Sequence, residues 1–294
     1  MQIIENHIVK NQKIPIRIQE YAVGIFKTCT TKSAIKKAIR KNLILVDNHP
    51  VTTAKIIFGG EKISLLKPQN SVSKKQFDFK LNIVYEDDYL AVIEKPPGIL
   101  VSGNKLKTID NALQQNLKKS TQFDAVRPRP VHRLDFLTSG LLLIGKTSSS
   151  IIALNQLFEN KKIEKTYHAI TVGKMKPKGC IDTDIDHKHA VSNYNVIFSI
   201  KSKRFAFLNL VELTPKTGRR HQLRKHMLFI GNPILGDHVY GVDSLILKGK
   251  GMYLHASNLQ FNHPFTHDKL SLKSSLPPKF TKIRNKVLLD NDAK

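Results

Sequence analysis

The sequence predicts an α+β protein in two parts, a small α+β unit and then a larger one built on a mixed or antiparallel central sheet. Strand-like runs outnumber helix-like ones and do not alternate with them in the rhythm of a parallel α/β sheet. A polar stretch opening on proline, "PQNSVSKKQFD" at 68–78, separates the two parts. The expected division is 1–68 for the first domain, 69–79 for a linker and 80–290 for the second domain. No internal repeat and no low-complexity tract suggests another plan.

In the first part, "TKSAIKKAIRKNLILV" opens with Thr31 or Ser33 as a cap and places Ala34, Ile35, Ala38 and Ile39 on one helical face. Lys32, Lys36, Lys37 and Arg40 take the opposite face, which suits either a phosphate backbone or plain solvent. "LILVDNHPVT" reads as a strand, a turn at Asp47-Asn48 and a second strand; "GGEKISLL" adds a turn and a last strand. In the second part, "LNIVYEDDYLAVIEKPPGILV" gives two strands broken at Asp87-Asp88 and a turn at Pro96-Pro97-Gly98. "SSIIALNQLFENKKI" is a helix starting only after Ser148 to Ser150, with Ile151, Leu154 and Phe158 in register. "KTYHAITVGK" and "FAFLNLVELT" are strands, "HQLRKHMLFIG" is a helix ending at Gly231, and "GMYLHASNLQFNHP" is a closing strand.

Charge narrows the partner. Forty-eight Lys and Arg against 23 Asp and Glu leave a formal +25. That excess favours a polyanion, because each neutralised phosphate releases condensed counterions. A membrane surface fits less well, since no basic amphipathic helix stands apart from a domain. The two cysteines, Cys29 and Cys180, lie far apart, so a reducing cytoplasm is expected rather than a disulfide framework. Neither an apolar run of membrane-spanning length nor a signal peptide is visible.

"VHRLDFLTSGLLLIGKT", 131–147, holds the sharpest ambiguity. Gly140 to Thr147 spells G-x-x-x-x-G-K-T, the phosphate-cradling loop, but Leu141, Leu142, Leu143 and Ile144 fill the space where flexible residues should curl round phosphates. Such a run belongs in a buried strand, its backbone donors spent on a sheet ladder. Asp135 then sits in a loop just ahead of that strand, either organising a turn or serving as a reactive carboxylate. "TGRRHQLRKH" at 217–226 puts Arg220 and Arg224 at helical spacing with His221 beside them. A guanidinium facing a carboxylate favours its charged form, which suits a nucleophile or base. His221 and His226 fall on different helix faces, and His187 and His189, at strand spacing, lack a cysteine nearby, so no metal site is expected.

These segments together resemble the RluA-type pseudouridine synthases with an S4-like RNA-binding domain in front. "YEDDYLAVIEKPPGILV", "VHRLDFLTSGLLLIGKT", "KTYHAITVG", "TGRRHQLRKHMLFIGNPILGDHVYG" and "LHASNLQFNHP" follow the family's motifs in order. "IRIQEYAVGIF", "TKSAIKKAIRKNLILVDN" and "GGEKISLL" resemble the S4-like part less closely. The departures include Phe136-Leu137 where charged residues are frequent, Gly145 for Ala, Arg220 for Thr or Lys, and Asp47-Asn48 for Asn-Gly.

The resemblance implies a pseudouridine synthase fold and an isomerase that rejoins a uracil base to its ribose through carbon. It implies Asp135 as the catalytic aspartate, Tyr167 as the ring against the uracil and Arg224 as the partner of the aspartate. Arg133 is expected to help displace the target base, Leu254 to line the uracil pocket, and His132 and Leu134 to support the site. His132, Arg220 and His221 are also expected at the substrate, and Lys32, Lys36, Lys37 and Arg40 on the RNA. Ribosomal RNA is the first expected substrate and transfer RNA the second, with no metal, no nucleotide cofactor, no membrane and a monomer. Two rivals are a silent RNA-binding protein on the same fold and a nucleotide hydrolase using GLLLIGKT.

Overall fold

The computed structural model describes residues 2–67, 76–242, 249–283 and 285. The chain divides into two compact units, Met1–Lys74 and Lys75–Lys294. Most of the expected linker, 69–75, lies outside the described residues, as do 284 and 286–290 at the far edge of the expected second domain.

The first unit runs β1 (Ile3–Ile8), β2 (Ile16–Arg17), α1 (Ile18–Tyr21), α2 (Lys32–Arg40), β3 (Ile44–Val46), β4 (His49–Pro50), β5 (Ile56–Ile57) and β6 (Lys62–Leu66). Its main sheet has the order β1-β6-β3-β4, with β2 and β5 paired separately. Thr31, not Ser33, caps α2: its side chain accepts from the Ala34 N–H, satisfying an orphan donor of the first turn. Ile35, Ala38 and Ile39 then face a core with Ile18, Phe26, Ile44, Ile57 and Ile63. Asp47 and Asn48 both take positive φ, 48° and 66°, as a tight two-residue hairpin demands. Of the expected basic face, Lys37 and Arg40 are exposed and Lys36 half-buried. Lys32 lies 2.6 Å from Glu20, so its charge is already matched within the unit.

The second unit runs β7 (Asn82–Glu86), β8 (Leu90–Lys95), α3 (Ile109–Asn116), β9 (Ala125–Pro130), β10 (Ser139–Thr147), α4 (Ser148–Glu159), β11 (Glu164–Val172), β12 (Lys178–Asp182), β13 (Val191–Ser202), β14 (Ala206–Pro215), α5 (Gln222–Phe229), β15 (Leu254–Asn262) and β16 (Lys269–Lys273). A 10-stranded sheet follows the path β12-β13-β14-β11-β15-β10-β8-β7, with β16 on β15 and β9 on β10. The sheet is mixed: β10 and β15 are parallel, and the other pairs are antiparallel. Residues 76–79, expected in the linker, pack on this unit. Phe77 and Phe79 stack with centroids 5.4 Å apart, and Asn116 donates to the Phe79 carbonyl.

Every residue of β10 is buried, as the run Leu141 to Ile144 foretold, and Gly140 to Gly145 pair with β8. The backbone donors of GLLLIGKT therefore serve a sheet. Lys146 turns inward to an ion pair with Glu86 at 2.7 Å, and Thr147 caps α4 in a capping box with Ser150. The helix thus starts at Ser148, earlier than expected, because Thr147 closes the strand and opens the helix at once. His187 does not sit in a strand either. It takes φ 59° in a turn between Ile185 and Lys188, so the pair with His189 has no strand geometry.

Candidate active site

Three strands converge on one line. Tyr167 in β11 stands opposite Ala256 in β15, and Ala256 stands opposite Gly140 in β10. Gly140, at φ 114°, lets the strands approach: a Cβ there would sit 2.2 Å from the Ala256 carbonyl oxygen. The register shifts between Thr166 and Tyr167, where β15 carries one extra residue, Ser257. Beside it, Ser139 bonds His255 Nδ1 at 2.9 Å, and His255 Nε2 bonds Ser274 at 3.0 Å, whose hydroxyl donates to Glu94. This buried chain ties the start of β10 to two other strands and to the segment after β16. Burial lowers the His255 pKa to about 4, against the pull of Glu94.

Asp135 belongs to the loop 131–138 that enters β10. Leu134 is buried on one side, and Leu137 packs into the neighbouring core cluster on the other. The Thr138 N–H closes a turn onto the Asp135 carbonyl at 3.1 Å. Beneath the loop lies Lys95, 1% exposed, whose Nζ donates to the carbonyls of Pro96 at 2.8 Å, Phe136 at 3.2 Å and Thr138 at 2.8 Å. Burial brings its pKa down to about 8, opposed by the charge of Asp135. Sequence reading gave Lys95 no role; a lysine closing a hydrophobic strand just before Pro-Pro-Gly was the available signal.

Arg224, buried on α5, faces two carboxylates. It grips Asp237 with a fork, Nε to Oδ2 at 2.6 Å and Nη2 to Oδ1 at 2.8 Å, and reaches Asp135 Oδ2 with Nη1 at 3.3 Å. Its guanidinium lies 4.9 Å from the centre of the Tyr240 ring. Burial works against its charge, but the bonds and charge of Asp237, with Asp135 behind them, raise its pKa overall. Asp237 is 1% exposed; burial would raise its pKa, yet Arg224 and the backbone N–H groups of Tyr240 and Val239 lower it. Asp237 and Tyr240 were missed as site residues, although "GDHVYG" had been read as part of a motif.

His221 completes the cluster, with Nε2 3.7 Å from Asp135 Oδ1 and Nδ1 3.0 Å from the Tyr240 hydroxyl. It is not inside the helix as its spacing suggested. It is the residue before α5, in the left-handed region at φ 55°. Gln222 stabilises that entry, accepting from the Arg219 N–H and the Thr217 hydroxyl. Arg220 therefore lies in an exposed turn and shares no helical face with Arg224. Burial lowers the His221 pKa, Asp135 opposes this, and Arg224 and Arg220 reinforce it.

The other expected residues divide by placement. Tyr167 is half-buried between two core clusters, and burial, then the charge of Asp135, raises its phenol pKa. Leu254 is buried in the cluster that supports Tyr167. Arg133 is exposed in the Asp135 loop. His132 turns inward: its Nε2 accepts the Leu143 N–H at 3.0 Å and its ring packs on Phe158. Burial, with Lys165 nearby, lowers its pKa to about 3, so it is a neutral prop of β10. Among the described residues, no group of three or more His, Cys, Asp or Glu could hold a metal.

A mixed sheet with a carboxylate, a guanidinium and a tyrosine gathered at its centre defines a class. The chain belongs to the RNA pseudouridylate synthase family, whose model matches residues 89–229, and is of the RluA type. It is 31% identical to the ribosomal large subunit pseudouridine synthase C of Rickettsia bellii, over 94% of this chain and 99% of that one. It is 34% identical to the ribosomal large subunit pseudouridine synthase D of Buchnera aphidicola, over 84% and 86%. Among solved structures, human RNA pseudouridylate synthase domain containing 4 matches with a TM-score of 0.55 and 28% identity, over 68% of this chain and 90% of that one. The protein is thus an isomerase acting on RNA, and the nucleotide hydrolase and the silent binder are set aside.

Proposed function

We propose that the protein converts specific uridines of large-subunit ribosomal RNA to pseudouridine, with Asp135 as the reacting carboxylate. The observation that carries this reading is the Asp135 carboxylate, set in a pinned loop and faced by Arg224 at 3.3 Å. The C1′–N1 bond breaks, the uracil turns, C1′ bonds to C5, C5 loses its proton and N1 gains one; no electrons are exchanged. Asp135 assists the cleavage by attacking C1′ or by removing a 2′ hydrogen. Arg224 orients the carboxylate, and Tyr167 offers the uracil a flat face. The Tyr167 phenol keeps its proton, so its hydroxyl serves as a hydrogen-bond donor. Flipping the target costs a few kcal/mol, which phosphate contacts of a +25 chain offset.

The ribosomal assignment rests on the names of the relatives, with transfer RNA second. The first unit serves as an S4-like RNA-binding domain, with the exposed Lys37 and Arg40 and the half-buried Lys36 meeting the RNA. The protein works as a cytoplasmic monomer without a nucleotide cofactor. The test is release of tritium from RNA labelled at uridine C5, with ribosomal and transfer pools kept apart. Release from ribosomal RNA by the wild type, absent with Asp135→Asn although the RNA still binds, is the expected result. Full turnover by Asp135→Asn would remove the aspartate from the mechanism.

A further inference from the structure

Most side chains of the loop 131–138 are committed. Val131 packs on the core, His132 holds the Leu143 N–H, Leu134 and Thr138 are buried, Asp135 faces Arg224, and Leu137 packs against the same core cluster as Tyr167. Arg133 and Phe136 remain exposed, Phe136 at 49%. The phenyl ring belongs to no core cluster and makes no ring contact among the described residues. Its backbone, however, is among the most firmly held of the loop, with its carbonyl accepting from the Gly98 N–H at 2.8 Å and from Lys95 Nζ. An aromatic ring is thus displayed on a fixed backbone one residue from Asp135. Presenting a ring this way loses little conformational freedom on contact.

We infer that Phe136 is a stacking platform for an unpaired nucleobase adjoining the target uridine. The inference rests on the synthase reading and adds a contact to it. A flipped nucleotide leaves its neighbour with an uncovered face, and an aromatic ring covers any base without demanding a sequence. Arg133 in the same loop supplies positive charge for the adjoining phosphate. A nucleobase matches this pairing of ring and cation better than an apolar protein segment, which would gain nothing from Arg133.

The chain contains no tryptophan, so Phe136→Trp creates a single indole reporter at the position in question. The variant is titrated with large-subunit ribosomal RNA and, separately, with inorganic polyphosphate, which has the charge but no bases. Loss of most of the indole emission with RNA and not with polyphosphate is expected. In parallel, Phe136→Ala should weaken RNA binding about tenfold at fixed salt, the scale of one lost base stack. Unchanged emission on bound RNA, or equal loss with polyphosphate, would overturn the inference. Tritium release by the wild type separates this outcome from failure of the synthase reading.

Discussion

Arg224 gives its two shortest hydrogen bonds to Asp237, not to Asp135. The fork to Asp237 measures 2.6 and 2.8 Å, against 3.3 Å for the single bond to Asp135. The guanidinium is therefore fixed by a buried carboxylate and presents its remaining edge to the other one. Asp237→Asn keeps the shape but weakens the grip, so kcat should fall about a hundredfold while KM changes little. Arg224→Lys cannot make the fork and should also destabilise the fold by about 3 kcal/mol, because Asp237 is left buried and poorly paired. Steady-state kinetics and urea unfolding measure the two effects separately.

Lys95 should behave as a structural pin of the loop. Lys95→Met removes a donor from the Pro96 and Thr138 carbonyls, and one of two from that of Phe136, and should cost about 2–4 kcal/mol. Turnover should drop with RNA affinity nearly unchanged, since the amine lies under the loop. A variant with wild-type urea midpoint and wild-type kcat would show that the pin is dispensable.

Acid should loosen the fold through two histidines. His132 and His255 have folded pKa values of about 3 and about 4, below the ordinary 6.5. Below pH 6.5 the unfolded chain takes up protons that these buried rings refuse. Their stabilisation is therefore full above pH 6.5 and is lost as pH falls towards about 4 for His255 and about 3 for His132. By about pH 5 each should account for up to about 2 kcal/mol. Urea midpoints at neutral pH and at about pH 5 should differ less in His255→Gln than in the wild type.

The GLLLIGKT stretch should bind no nucleotide. Millimolar ATP with magnesium should leave the melting temperature unchanged. Lys146→Met, which takes the ion-pair partner from Glu86, should lower it. A clear ATP-dependent rise in melting temperature would revive the phosphate-loop reading.

Much of this was legible where chemistry is local. The β10 run, the Thr31 cap and the Asp47-Asn48 turn are written in adjacent residues, and so is the loop that carries Asp135. What escaped notice depends on distant partners. Asp237 looks like a turn residue until Arg224 is folded against it, and Lys95 looks solvated until the loop covers it. β9 carries Pro128 and Pro130, which argue against a strand, yet it lies off the main path of the sheet, and among the described residues it pairs with β10 alone. The helical spacing of Arg220 and Arg224 misled because His221 breaks the helix with a left-handed backbone.

The parallel pairing of β10 with β15 also sets a clock. Ser139 and His255 are 116 residues apart in the chain, yet they bond side by side. At ribosomal speeds of roughly 5–20 residues per second, the loop bearing Asp135 waits on the order of ten seconds for the strand that aligns it with Tyr167. During that interval β10 has β8 and β9 but not β15, so the edge at Ser139 and Gly140 stays unpaired and open to mispairing. For this enzyme, the order of synthesis makes the Asp135 loop an early arrival and its alignment a late one.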